Sequence, residues 1–177
     1  MAAGITSGQE MPVPVQVQVP LFAKVLSFDR NLEERAGPEL VIGVLYQGRY
    51  RQSLLAKETI AAALREDDVK TILHMNVRVV EINIEGDQNL RSTIAAAGVR
   101  LLYLTPLRAV DIEAICTISR EMKITSFTGV PDYVDEGVAL GIGVSDERPQ
   151  IVINLPAALD EGADFSSQLL RVAKVIR

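Results

Sequence analysis

The stretch that decides the fold is GVALGIGVSDERPQIVINLPAALDEGADFSSQLLRVAKVIR, residues 137–177. Its first apolar run, at 137–144, is separated from a second one by the five residues SDERP at 145–149. Two strand-like runs joined by so short a polar turn predict an antiparallel hairpin. The stretch therefore closes the chain with a hairpin, and it contains no pattern typical of a catalytic site.

One face of the first hairpin strand carries almost no side chains. Side chains alternate between the faces of a strand, and the odd positions from 137 to 143 hold only glycine or alanine. If Val144 pairs with Gln150, small residues lie opposite large ones, with Gly141 facing Ile153. A bare face lets a helix or a ligand approach closely. We favour a packed helix over a ligand.

Helical signals follow the hairpin. Pro156 suits the first position of a short helical turn. A last amphipathic helix is predicted from about Ser166, with Asp164 or Ser166 as its N-cap. Its apolar face is predicted to consist of Phe165, Leu169, Val172, Ala173 and Ile176.

Strands and helices alternate in the rest of the chain. The pattern predicts strands at 40–46, 77–84, 99–105 and 124–130, and helices at 19–33, 52–66, 88–98 and 110–123. Such alternation is typical of parallel crossover units. We therefore expect a single α/β domain. Its sheet should be mixed and mostly parallel, with about six strands, a C-terminal antiparallel hairpin and helices on both faces.

Length and composition agree with one domain that does not bind nucleic acid. The 177 residues are 48% apolar, and a chain of this size buries a sufficient core without a covalent staple. The formal net charge is −5, so the chain does not have the excess of Lys and Arg that contacts with phosphate groups need. Cys116 is the single cysteine, which excludes an intramolecular disulfide.

The N-terminal residues predict a flexible segment at 1–18, before a domain at 19–177. MAAGITSGQE is small and polar, and MPVPVQVQVP is too rich in proline for the apolar helix of a signal peptide. No run of 18 apolar residues occurs, so we expect no direct insertion into a membrane. These residues leave both a periplasmic and a cytoplasmic location open.

Motifs for catalysis, metals and cofactors are missing from the sequence. No GxGxxG follows a strand, and no GxxxxGK[ST] occurs. His74 is the only histidine, so zinc binding and Cys/His catalysis are not expected. The acidic clusters lack calcium-loop spacing. We therefore expect no catalytic residue, no metal and no cofactor.

The loop YQGRYRQS at 46–53 is the best candidate for ligand binding. It follows the first parallel strand, and open α/β sheets bind ligands at the carboxyl ends of their strands. Two arginines and a helix N-terminus there suit an anion, and two threonines end later strands. The alternative is a solvated polar turn. The candidate residues are Tyr46, Gln47, Arg49, Arg51, Ser53, Thr105 and Thr128.

The helix predicted at 19–33 has an unusually wide apolar arc. Leu21 and Val25 belong to one helical stripe, and Phe22 and Leu26 lie to one side of it. Burial between two elements explains such an arc. The alternative is a partner-binding face with Phe22, Leu26 and Asp29, which also makes a homodimer plausible.

Taken together, VPLFAKVLSFDRNL at 19–32, IGVLYQ at 42–47, GVALGIG and the closing stretch resemble the YfiR family. Within the closing stretch, the matching positions are Asn154, Ala157, Ala158, Gly162, Ala163, Phe165, Ser166, Leu169, Leu170, Ala173 and Ile176. Family members are small α/β proteins, typically exported to the periplasm. The namesake represses an inner-membrane diguanylate cyclase, an enzyme of cyclic-di-GMP signalling, by contacting its periplasmic domain.

The resemblance implies a non-enzymatic regulator that binds a membrane signalling protein, such as a diguanylate cyclase or a histidine kinase. It also implies a periplasmic location. With a single cysteine, the chain has no disulfide-based redox control. The alternatives are a module that binds a small anion or metabolite and, as the least favoured, an unrecognised enzyme.

Overall fold

The computed structural model describes residues 10–66 and 69–177. Its helices are α1 (Val15–Leu26), α2 (Leu32–Ala36), α3 (Arg51–Leu64), α4 (Leu90–Ala97), α5 (Ile112–Met122), α6 (Asp132–Asp135), α7 (Leu155–Asp160) and α8 (Ser167–Val172). Its strands are β1 (Glu39–Tyr46), β2 (Thr71–Ile72), β3 (Met75–Asn83), β4 (Leu101–Leu104), β5 (Thr125–Thr128), β6 (Leu140–Ser145), β7 (Arg148–Asn154) and β8 (Lys174–Ile176).

The strands form one eight-stranded sheet in the order β2-β3-β1-β4-β5-β6-β7-β8. The five strands from β3 to β6 run parallel, whereas β2 pairs antiparallel with β3, and β7 pairs antiparallel with β6. This confirms the predicted α/β domain with a mostly parallel mixed sheet and a C-terminal hairpin. The estimate of about six strands was low because the two edge strands, β2 and β8, are only two and three residues long.

Each face of the sheet has its own apolar core. Residues of α1, α3, α7 and α8 pack on one face around Leu40, Ile42 and Tyr103. Residues of α4, α5 and α6 pack on the other face, around Leu45 and Leu102. The central strands are buried on both sides, which explains their uninterrupted apolar sequence. Helices on both faces were predicted correctly.

The first helix begins earlier and ends earlier than predicted. It starts at Val15, and Val13 and Val15 are both buried, so the packed part of the domain begins before residue 19. It stops at Leu26, and α2 follows as a separate turn after a bridge between Asp29 and Phe165. The prediction of a flexible segment also covers residues 1–9, which lie outside the described ranges.

The hairpin forms, but its predicted register was wrong by one residue. Val144 pairs with Pro149 instead of Gln150, and Ser145 pairs with Arg148. The turn therefore contains two residues, Asp146 and Glu147, both with positive φ (49° and 60°). Such a turn matches the twist of the two strands, but its residues are neither glycine nor asparagine.

The bare face of β6 is covered as predicted, by a packed helix. A Cβ added to Gly141 would overlap the side chain of Val134 in α6, and one added to Gly143 would contact Pro131 at 3.7 Å. The small residues of the strand thus make room for the short helix that precedes it.

The last predicted helix is shorter than expected. Ser166 caps α8 by accepting a hydrogen bond from the backbone N–H of Leu169, as predicted. The helix ends at Val172, however, and Lys174–Ile176 form β8, which pairs parallel with β7. Val172, predicted to be apolar and inward, is 77% exposed. Pairing with β7 determines the conformation of residues 174–176, and the helical periodicity of the sequence does not reveal such pairing.

Candidate functional site

The carboxyl end of the sheet contains the predicted ligand residues, but its hydroxyl groups face inward. Ser53, Thr105 and Thr128 are fully buried. The hydroxyls of Ser53 and Thr105 lie 2.7 Å apart, and that of Thr105 donates to the Leu45 carbonyl at 2.8 Å. The hydroxyl of Thr128 donates to the Leu104 carbonyl at 2.8 Å. These groups join neighbouring elements and offer no free hydrogen bond to a ligand.

Gln47 holds the loop that follows β4. Its side-chain amide donates to the Arg108 carbonyl at 2.9 Å and accepts from the Arg108 backbone N–H at 2.6 Å. Tyr133 clamps the adjacent Leu107 in the same way, at 2.9 and 3.1 Å. Burial raises the pKa of the Tyr133 hydroxyl to about 12, so it stays a neutral donor. The rim of the predicted site is therefore a fixed structure.

The remaining predicted ligand residues line the outside of this rim. Tyr46 is half-buried, and the ammonium group of Lys57 lies 4.9 Å from the centre of its ring. Arg49 and Arg51 are exposed, and the backbone N–H of Arg49 donates to Glu85 at 2.8 Å. The seven residues thus lie at one end of the sheet, as predicted, but they do not line a common open site.

A cleft next to this rim was not predicted from the sequence. It has a volume of about 430 Å³ and lies between the first described residues, α3 and the loop after β4. Leu55 in this cleft is 50% exposed. The lining is mostly apolar and consists of Glu10, Met11, Val15, Gln52, Leu55, Ala56, Thr59 and Pro106.

The partner-binding face predicted on the first helix is not at the surface, so that prediction needs correction. Phe22 is 2% exposed, Leu26 1% and Asp29 3%. Phe22 packs edge-on against Tyr103 and Phe127, with ring centres 6.3 and 4.8 Å away. The wide apolar arc reflects burial between the sheet and the neighbouring elements, which was the other explanation.

A buried polar contact supports this aromatic cluster. The hydroxyl of Tyr103 lies 2.9 Å from Oε1 of Gln18, and the Gln18 amide donates to the Val13 carbonyl at 2.7 Å. Burial raises the pKa of Tyr103 well above its ordinary value. Gln18 also fills the space beside Gly129, where a Cβ would overlap its amide. The contact fixes α1 across the middle of the sheet.

Charged side chains are buried at the opposite, amino end of the sheet. Glu161 is fully buried, and its carboxylate accepts from the Ser126 backbone N–H at 2.8 Å and from the Ser126 hydroxyl at 2.6 Å. Desolvation by burial raises the pKa of Glu161 to about 8. Nothing in the sequence indicates this burial, because a glutamate beside a glycine is typical of the end of an exposed helix.

Arg35 and Asp29 form an ion pair in the same region. The guanidinium contacts Oδ2 of Asp29 and donates to the Thr125 hydroxyl at 3.1 Å. The other carboxylate oxygen of Asp29 accepts from the backbone N–H groups of Asn31 and Asp164, at 3.0 and 2.9 Å. Asp29 is therefore a structural anchor for the segment around Asp164.

No nucleophile or metal centre emerges from the described residues. Cys116 is buried, and desolvation raises the pKa of its thiol to about 12, so the reactive thiolate is not formed at neutral pH. Within residues 10–66 and 69–177, no group of three or more His, Cys, Asp or Glu side chains is placed to hold a metal ion. In the same ranges, no helix is long and apolar enough to span a membrane.

Solved structures share this fold at low sequence identity. A conserved domain protein from Vibrio cholerae matches with a TM-score of 0.66 and 16% identity, over 93% of this chain and 60% of that one. A ligand-free, open substrate-binding protein with adhesive properties from Clostridium difficile matches with a TM-score of 0.55 and 17% identity, over 83% and 57%. An ABC domain in complex with L-Trp from Streptococcus pneumoniae matches with a TM-score of 0.56 and 14% identity, over 86% and 60%.

This chain thus spans about 60% of the length of the solved proteins it matches. At these identities the likeness concerns the fold alone. No curated protein matches the sequence.

The family is established by a sequence model. The YfiR/HmsC-like model matches residues 22–174, which include every strand from β1 to β7. The chain belongs to the YfiR/HmsC-like family, as the resemblance of its two ends predicted.

Proposed function

We propose that this protein is a non-enzymatic periplasmic regulator that binds a membrane signalling protein, such as a diguanylate cyclase or a histidine kinase. The observation that carries the proposal is the family match over residues 22–174. The mechanism is a protein–protein contact that favours one state of the partner, because a ligand shifts an equilibrium only by its differential affinity for the two states.

Exposure favours a different contact surface from the one predicted on the first helix. Phe22, Leu26 and Asp29 are buried, whereas Leu55 is half exposed in an open, mostly apolar cleft. Burial of exposed apolar surface is the dominant favourable contribution to most protein–protein contacts. We therefore assign the partner contact to the cleft around Leu55.

Capture from the native membrane fraction tests this function. We expect the wild-type chain to retain a diguanylate cyclase, a histidine kinase or a receptor, identified by mass spectrometry. Leu55→Asp should abolish the capture. Val144→Asp is the matched control, because Val144 is equally exposed (51%) but lies on the hairpin, and it should retain the partner. Recovery of no signalling protein, or equal capture by both variants, would contradict the proposal.

A second function, binding of a small ligand, is favoured by the same cleft. Its volume of about 430 Å³ lies within the range of small-molecule pockets. The buried hydroxyls of Ser53, Thr105 and Thr128 are already paired, so the ligand would contact the apolar lining and the exposed Gln52 amide instead.

A thermal-shift screen of anions, amino acids and nucleotides addresses this second function. A ligand that binds the native state raises the melting temperature by mass action. Leu55→Trp, which fills the cleft, should remove such a shift. If no compound in the screen shifts the melting temperature, the regulatory function is favoured.

A homodimer stays a prediction. The variant Phe22→Glu is not suited to test it, because Phe22 lies in the core and a charge there would unfold the domain. Light scattering of the wild-type chain measures the oligomeric state directly, and a monomer would end the idea.

A further inference from the structure

Glu161 is buried without a cationic partner. Within the part of the chain that the structure describes, its only hydrogen-bond donors are the backbone N–H and the hydroxyl of Ser126, which are both neutral. The Ser126 hydroxyl in turn accepts from the Ala139 N–H at 3.0 Å. Among the described residues, Glu161 forms no ion pair, so an ionised carboxylate here lacks the compensation that buried charges require.

Two arginines beside Glu161 are also incompletely paired. The Nε atoms of Arg35 and Arg120 are buried and have no hydrogen-bond partner within residues 10–66 and 69–177. Arg35 directs its Nη2 atom to Asp29 and its Nη1 atom to the carbonyls of Lys123 and Glu161, both at 3.3 Å. The region therefore contains an uncompensated acid next to two unused donors. The charged groups of such an arrangement can form more than one set of hydrogen bonds and ion pairs.

The charged and titratable groups around Glu161 come from several elements. The strands β5 and β6 contribute none. Arg35 and Arg120 favour the ionised carboxylate, but desolvation outweighs them and raises the pKa of Glu161 to about 8. Asp29 and Arg35 face this region from α2 and the residues before it, and Asp160 and Asp164 face it from the segment that contains Glu161. The helix α5 and its end contribute Glu113, Cys116, Arg120 and Lys123. The helix α6 and its end contribute Asp135 and Glu136.

Glu161 lies at the centre of the attachment of the last part of the chain. We call residues 155–176, from α7 to β8, the C-terminal unit. Lys123 donates to the Asp160 carbonyl at 2.6 Å, and Asn31 donates to the Gly162 carbonyl at 3.2 Å. The unit ends in β8, which covers only Val152–Asn154 of the outer edge of β7. Detachment of the whole unit, β8 included, would uncover this strand edge.

We propose that loss of a proton from Glu161 weakens the attachment of the C-terminal unit, so that the protein uncovers the outer edge of β7 as the pH rises. An open sheet edge presents unpaired N–H and C=O groups and binds extended segments of other chains. This device is independent of which partner the protein binds and of whether the cleft around Leu55 is used.

The pH range follows from the two states of Glu161. In the closed state its pKa is about 8, whereas in the open state the carboxyl is solvated and regains its ordinary value near 4.5. Between these values the open state has lost the proton that the closed state retains. The opening equilibrium therefore rises by up to about tenfold per pH unit from pH 5 to pH 8, and it levels off above pH 8.

Hydrogen exchange of the full chain at pH 5, 6, 7 and 8 tests the proposal. After correction for the intrinsic exchange rate, we expect the amides of β8 to lose protection by up to about tenfold per pH unit. The amides of β1 should keep theirs. In Glu161→Gln, which carries no titratable group, the protection of β8 should not depend on pH. Glu113→Gln is the matched control, since Glu113 is exposed, and it should behave like the wild-type chain.

Two results overturn the proposal. The first is protection of β8 that is independent of pH in the wild-type chain, which decides the question even if Glu161→Gln does not fold. The second is an unchanged pH dependence in a folded Glu161→Gln variant, because another group would then control the opening.

Discussion

The two ends of the sheet are both polar and both buried, but they are built from different chemistry. At the carboxyl end, Ser53, Thr105 and Thr128 are neutral, and each has a hydrogen-bond partner. At the amino end, Glu161 titrates and Arg35 is charged, and Nε of Arg35 lacks a hydrogen-bond partner among the described residues. Neutral, satisfied groups hold their structure over a wide pH range, whereas a buried acid makes the structure around it depend on pH.

This difference suggests separate roles for the two ends, whereas the sequence predicted a role, ligand binding, for the carboxyl end alone. The hydroxyls there fix the loops that border the cleft, which we propose as the surface for recognition. The amino end contains a buried titratable acid, Glu161, and we therefore expect it to respond to pH. We expect recognition at one end and regulation at the other.

The largest expected effect lies between the two ends, in the aromatic cluster that joins them. Phe22→Ala removes a ring that contacts Tyr103 and Phe127, and we expect a loss of about 3–5 kcal/mol in the free energy of unfolding. Denaturant titration measures this loss. Val17→Ala on the same helix, at a 38% exposed position, should change stability little. Equal effects of the two variants would contradict the packing of α1.

The next effect tests whether the charges of the amino end depend on one another. Arg35→Met leaves Asp29, which is 3% exposed, without its cation, and we expect a loss of about 3 kcal/mol. Arg30→Met breaks an exposed pair with Asp164 and should have little effect, because solvent screens that pair. Comparison of the two denaturant midpoints gives the difference. An Arg35 variant as stable as the wild-type chain would show that Asp29 needs no cation.

A third effect distinguishes the two ends by pH. The pKa of Glu161 is raised to about 8, so the native state holds a proton that the unfolded state loses above about pH 4.5. The contribution of this proton to the free energy of unfolding is complete below pH 4.5 and is lost as the pH rises to 8. We expect Glu161→Gln to gain up to about 1.4 kcal/mol per pH unit relative to the wild-type chain in this range.

Denaturant titrations at pH 5, 6, 7 and 8 measure this gain. Asp160→Asn serves as the control, because Asp160 is the exposed neighbour of Glu161 in the chain. A constant difference between Glu161→Gln and the wild-type chain at all four pH values would mean that Glu161 does not titrate in this range.

The smallest effect concerns the carboxyl end. Thr105→Val removes the hydroxyl that contacts Ser53 and the Leu45 carbonyl, and we expect a loss of about 1–2 kcal/mol. The loss should be the same at pH 5 and pH 8, since neither partner titrates in this range. A loss that changes with pH would end the distinction between the two ends.

Much of the fold was predictable because local periodicity and burial agree in it. The uninterrupted apolar sequence of β1 predicted a central strand, and Gly98 ends α4 in the left-handed conformation, as expected of a C-terminal glycine. The hairpin register was missed because Asp146 and Glu147 adopt positive φ without the glycine or asparagine that signals such a turn. The short strands β2 and β8 were missed because pairing with β3 and β7, and not their own sequence pattern, makes them strands.

The candidate sites were less predictable than the fold. The sequence located Gln47 and Thr105 at the carboxyl end through the rule for parallel strands, but it did not show that their polar groups are already paired. The cleft around Leu55 depends on the approach of Met11 to α3, and the sequence contains no signal for that contact. The burial of Glu161 depends on Ser126, which is 35 residues away in the chain.

The sequence by itself determined the α/β class, the order of the central elements and the family, because apolar periodicity and turn residues act locally. Only the tertiary structure decided which polar groups are free, which are paired and which are buried with an unmatched charge. Those properties depend on distances between segments far apart in the chain. The closing stretch at 137–177 illustrates both: the two strands of its hairpin are readable from the sequence, whereas the hairpin register, the helix that covers β6 and the environment of Glu161 come from packing.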